Sequence, residues 1–135
     1  MKINKTVKTE CTRVLEGYCR ALGIFDLEQA ISFFSDNCSF IGNTTGLNIK
    51  RSRREVFGYF DDWRKKGIGE ARFIVKQIDF QLVGEAVLAF GLWDIVVSKH
   101  TLPSRFSFLL SSENGKWRII HKHSSYEKVV YPWEI

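Results

Sequence analysis

No apolar run in the chain comes near the roughly twenty residues needed to cross a bilayer, since polar residues interrupt the longest stretches within about ten positions. The start, MKINKTVKTE, carries positive charge but no apolar core or small-residue cleavage site, so no signal peptide is read and a cytoplasmic location is the expectation. There is no CxxC pair, and three cysteines, Cys11, Cys19 and Cys38, cannot all pair within one chain. They are expected as buried thiols. A glycine-rich phosphate loop, GxSxG and HxxxH are missing too, which argues against nucleotide chemistry and serine-hydrolase chemistry and leaves no cofactor implied. Repeats and low-complexity tracts are also lacking.

What is present is 135 residues, 44% of them hydrophobic, the size at which one core forms and two would each be marginal. One domain over 1–135 is expected. The net charge is +5, and residues 50–66 alone supply +4, with seven Lys or Arg against Glu55, Asp61 and Asp62. Such a stretch can attract nucleic acid or an acidic partner, but a solvated helix face explains it more simply, so nucleic acid is not expected as a partner, and neither is a membrane.

Val7, Cys11, Val14, Leu15, Tyr18, Leu22 and Phe25 recur at steps of three and four, which predicts a helix from about residue 5 to 22, stopped at Gly23. Asp26 with Gln29 resembles a capping box for a short second helix striped by Leu27, Ala30, Ile31 and Phe34. Asp36-Asn37 reads as a turn before a strand at 38–41, and Leu47-Asn48-Ile49 as a small edge strand. Ser52 with Glu55 caps a third helix through Val56, Tyr59, Phe60 and Trp63 to Gly67. From Ala71 the period becomes two, predicting strands at 72–83, 86–98, 104–111 and 116–124, with turn signals at Gly84, Leu102-Pro103 and Glu113-Asn114-Gly115. The apolar residues of 129–135 suggest an arm that docks on a surface.

Helices first and an antiparallel meander after, together with two local stretches, resemble the nuclear-transport-factor-2-like (cystatin-like) fold and, within it, the SnoaL-like group that includes ketosteroid isomerase relatives. One stretch is 23–42, ending in Ser35-Asp36-Asn37-Cys38-Ser39-Phe40-Ile41-Gly42. The other is Gly115-Lys116-Trp117-Arg118-Ile119-Ile120-His121-Lys122-His123-Ser124, similar to the last strand of SnoaL-like and kinase-association domains, with Arg105 resembling the arginine of their penultimate strand. The resemblance implies an α+β cone-shaped roll, three N-terminal helices packed on a strongly curved, mainly antiparallel sheet around an apolar cavity. It also implies that Tyr18 matches the tyrosine that hydrogen-bonds a developing enolate oxygen. The isomerase's proton-shuttling aspartate has Gly42 in its place, so steroid-isomerase chemistry lacks its base.

His121 and His123, two apart on a strand, share one face about 7 Å apart, where they could act as acid and base or, with Asp94 or His100, ligate a metal; no metal is expected. Arg105 on the neighbouring strand could reach that face and hold a carboxylate, or else pair with Asp94 or Glu127. Trp63, Trp93, Phe40 and Tyr59 could line a pocket, although aromatics at these periods are core first. The leading expectation is a small-molecule-binding domain, with lyase, isomerase or cyclase chemistry at Tyr18, His121 and His123 and a small apolar or carboxylate-bearing ligand. The alternative is an association module, and a homodimer through the sheet suits both.

Overall fold

The structure, a computed structural model, describes residues 3–128. The expected arm at 129–135 lies outside the described residues. Helix α1 (Lys5–Gly23) starts where Asn4 accepts from the Val7 amide at 2.8 Å, and it buries Cys11, Leu15, Tyr18 and Leu22, the stripe read from the sequence. Helix α2 (Leu27–Ser32) is capped by Asp26, whose side chain accepts from the Gln29 amide. Helix α3 (Arg53–Lys65) is capped by Ser52 on Glu55 N, while the Glu55 carboxylate reaches back to the Arg51 amide at 2.8 Å. Satisfying these otherwise orphaned amides is what fixes where each helix begins. Among the described residues no helix is long and apolar enough to cross a membrane.

Strand β1 (Phe34–Ile41) precedes α3, and β2 (Ala71–Val83), β3 (Ala86–Val97), β4 (His100–Glu113) and β5 (Lys116–Tyr126) follow it. The sheet order is β1-β5-β4-β3-β2, an antiparallel meander with β1 parallel to β5 at its edge. The three helices cover its concave side, and one aromatic-rich core lies between, so the expected cone-shaped α+β roll is the observed one.

Three local expectations are corrected. Asp36-Asn37 is not a turn but an irregular, exposed stretch inside β1, where the register shifts between Phe34 and Ser39. Residues 47–49 form no strand; only a single bridge joins Phe40 to Lys50, and Leu47 is fully exposed. Leu102-Pro103 lies within β4, and the turn comes earlier, where Ser98 takes a φ of 56°.

Curvature has an identifiable source. Between Val75 and Gln77 the ladder of β2 with β3 slips by one residue opposite Leu92 and Trp93, and Gly91 pairs with Ile78 just past that bulge. Any Cβ at Gly91 would overlap the Gln77 carbonyl, so the two backbones approach as closely as they do only because this residue has no side chain.

Candidate functional site

A second bulge decides which residues of β5 look inward. Leu110 pairs with Ile119, both fully buried, but the next residue of β4, Leu109, pairs with His121, leaving Ile120 as the extra residue. One extra residue moves every side chain beyond it to the opposite face. Lys122 and Ser124 therefore point into the cone opposite Phe108 and Phe106, while His121 and His123 sit opposite Leu109 and Ser107 on the outer face.

This corrects the expected site. Arg105, His121 and His123 do share one face, but it is the outer one. Arg105 is exposed and donates from Nη2 to the Tyr126 carbonyl at 3.1 Å, not to a carboxylate. Asp94 is also outside, 3.7 Å from Lys76 Nζ, with neither histidine in register with it. His121 Nδ1 lies 2.6 Å from Ser39 Oγ, and desolvation, then the neighbouring His123, lowers its pKa. Among the described residues no three His, Cys, Asp or Glu side chains gather as metal ligands do.

The interior holds a cavity of about 470 Å³ between α1 and the concave face of the sheet. Leu15, Cys19, Phe73, Ile78, Trp93 and Phe108 are among its walls, and the charged groups that reach it, Glu16, Arg20 and Arg72, are exposed at its rim. Of the residues singled out in the sequence, Trp93 lies in this wall. Tyr18 is wholly buried beside it, edge-on to Phe34 and Phe108 with ring centroids 5.4 and 5.8 Å away. Its hydroxyl has no hydrogen-bond partner among the described residues, and burial, reinforced by Cys19 and Tyr59, raises its pKa well above the ordinary value. The phenol thus stays protonated, a donor without an acceptor.

Phe40, Tyr59 and Trp63 belong to the part of the same core that lies under α3, outside this cavity's wall. The Thr44 amide and hydroxyl lie 3.2 and 2.9 Å from the Tyr59 hydroxyl, and Trp63 Nε1 donates to Thr44 Oγ1 at 3.3 Å, so the polar atoms there are occupied. A side chain at Gly42 would overlap the Tyr59 hydroxyl. The space that an isomerase carboxylate would need is filled by a phenol from α3.

Lys122 is the residue that the sequence reading missed. It is 3% exposed, its ammonium nitrogen 4.5 Å from the Phe40 ring centre and 5.5 Å from that of Trp93, and no salt bridge reaches it among the described residues. Desolvation brings its pKa down from 10.5 to about 7, with only the Cys19 thiol acting in the opposite sense. Beside it runs a line of hydrogen bonds. Trp93 Nε1 donates to Ser124 Oγ at 3.3 Å, Ser124 donates to Asn43 Oδ1, and Asn43 Nδ2 donates to Ser104 Oγ at 3.1 Å. This line fixes the indole that stands between Lys122 and the cavity. The one signal in the sequence was the adjacent pairs Leu109-Leu110 and Ile119-Ile120, which break the period of two where the bulge falls.

The basic stretch is largely neutralised in place: Arg53 pairs with Asp36 at 2.7 Å, Arg54 with Glu28 at 3.4 Å, Lys66 with Asp62 at 2.8 Å, and Arg64 and Lys65 with Asp61. That is the solvated-face reading of residues 50–66.

A family model described as a SnoaL-like domain matches residues 12–129. No curated protein is matched by the sequence. Among solved structures, a nuclear transport factor 2 superfamily protein from Salmonella enterica superposes with a TM-score of 0.82 at 19% identity, covering 96% of this chain and 97% of that one. A nuclear-transport-factor-2-like protein of unknown function from Pseudomonas putida gives a TM-score of 0.82 at 16% identity over 92% and 89% of the two chains. A protein of unknown function with a cystatin-like fold from Nostoc punctiforme gives 0.79 at 14% identity over 98% and 99%. At these identities the likeness is one of fold.

Proposed function

The chain belongs to the SnoaL-like domain family, and from that premise we propose that it binds a small apolar molecule in the cavity between α1 and the sheet. The observation that carries this reading is the cavity itself: about 470 Å³, walled by Leu15, Phe73, Ile78, Trp93 and Phe108, with charge only at the rim. Ligand pockets have this size and this lining, with a few polar groups for orientation. The Tyr18 hydroxyl, a protonated donor with no acceptor among the described residues, lies behind that wall and not in it. His121, His123 and Arg105 face away from the cavity, so they take no part in this reading.

The test is thermal shift and calorimetry with a series of medium-chain alcohols. Binding should raise Tm, with a stabilisation of about 2.7 kcal/mol when ligand is a hundredfold above Kd. Val75 lines the cavity and is partly exposed, so Val75→Trp can narrow it without disturbing the core. That change should weaken binding at least about tenfold; undiminished affinity would place the ligand elsewhere.

A second reading, self-association through the outer face of the sheet, is favoured by one observation. Phe90 and Leu92 stand 37% and 45% exposed there, in register with Ser107 and Arg105 and flanked by His123. Ligand binding and a homodimer are compatible, because they use opposite faces of the same strands.

A further inference from the structure

We infer that the ligand of the cavity is an unbranched aliphatic chain of about twelve carbons, lying along α1 with its polar end left at the rim. This class of ligand rests on the binding role just given and is selected by the shape of the space. The residues that α1 contributes to the wall, Thr12, Leu15, Glu16, Cys19, Arg20 and Gly23, recur at steps of three and one, which is a single face of the helix. The cavity therefore follows α1 for about three turns, a length of about 16 Å.

Strand β2 runs beside the helix in the opposite direction, and the two meet at both ends. At one end a side-chain carbon at Gly23 would stand 3.1 Å from the Ala71 carbonyl oxygen. At the other, Lys8 Nζ lies 5.8 Å from the centre of the Phe80 ring. Between these contacts β2 lines the space from Ala71 to Ile78, so the cavity is a slot closed lengthwise. A volume of about 470 Å³ over about 16 Å leaves a mean cross-section of about 30 Å², a width of about 6 Å. Carbon groups in contact stand about 4 Å apart, so one alkyl chain fits this width and two side by side, needing about 8 Å, do not. A large ring presents that double width. An extended carbon chain advances about 1.25 Å per bond, and about twelve carbons fill the slot.

The chemistry of the wall agrees with the shape. Leu15, Phe73, Ile78, Trp93, Phe106 and Phe108 offer nothing to a polar group in mid-chain, and Cys19 behaves as a small apolar side chain. An oxygen placed there would lose its hydration without a partner. The charged groups Glu16, Arg20 and Arg72 are exposed at the rim, so the polar end of a ligand belongs beside them and in reach of water.

Calorimetry with the full chain and 1-alkanols from hexanol to tetradecanol, each below its solubility limit, tests the shape. Affinity should rise about fourfold with each added CH₂ and stop rising near twelve carbons. Cyclodecanol, with the carbon count of 1-decanol folded into a ring, should bind at least about tenfold more weakly than 1-decanol. Ile78→Phe fills the end of the slot nearest Phe80, so it should move the break in the series about two carbons shorter and leave hexanol affinity within about twofold of the wild type. Cyclodecanol binding as tightly as 1-decanol in the wild-type protein, or a break that stays in place in Ile78→Phe, overturns the unbranched chain and leaves the cavity reading standing. No binding by an alcohol of either shape overturns both.

Discussion

The two faces of β5 carry opposite chemistry within four residues. Outward, His121 and His123 are solvent-reached and one of them has a hydroxyl neighbour; inward, Lys122 is sealed among aromatic rings and Ser124 is the centre of a hydrogen-bonded line. Residue type alone would have assigned these roles the other way, since histidine is the common acid-base group near neutral pH. Burial reverses the assignment: it brings an amine into the titration range near neutrality and gives the imidazole at His121 a lowered pKa.

The sharpest way to test that contrast is to remove the buried charge. Because the folded pKa of Lys122 is below its ordinary value, the unfolded chain holds a proton that the folded one lacks between about 7 and 10.5. The cost of burying the ammonium is therefore complete below about pH 7 and fades as pH rises toward 10.5. Lys122→Met should stabilise the protein by on the order of 3 kcal/mol near pH 6, with the gain shrinking steadily toward pH 10. Urea melts of both proteins across that range decide it, and a difference that does not change with pH breaks the contrast.

A somewhat smaller effect is expected at Gly91, beside the bulge of β2. Gly91→Val forces a side chain against the Gln77 carbonyl, so it should cost about 2 kcal/mol and open the cavity wall at Ile78, lowering Tm and alcohol binding together. Loss of stability with undiminished binding would separate the bend from the cavity.

The outer face should be the tolerant one. Leu92→Glu should change the stability of the single chain by no more than about 0.5 kcal/mol. If two copies meet there, the molar mass by light scattering should fall from that of a dimer to that of a monomer. Wild-type protein that is already monomeric at high concentration would remove the second reading.

Much of the fold was legible. Ser52 and Asp26 announced their helices because a capping side chain acts within three or four residues, and the change of period at Ala71 marked where helix gave way to sheet. Asp36-Asn37 misled because the same residues that favour turns also occupy irregular stretches of strand, and Leu102-Pro103 because Pro103 sits in the strand, one residue before the buried Ser104. The site was less legible. Tyr18 and Trp93 could be placed on inner faces from periodicity, yet Arg105, His121 and His123 were assigned to the wrong side.

The sequence by itself determined the helices, the meander and the turns at Gly84 and Asn114-Gly115, since these depend on interactions between near neighbours. It also determined that Gly42 offers no carboxylate. Only the tertiary structure decided that Lys122 faces the interior, because a bulge is set by how two strands share their hydrogen bonds, and one unmatched residue at Ile120 exchanges the two faces for everything beyond it.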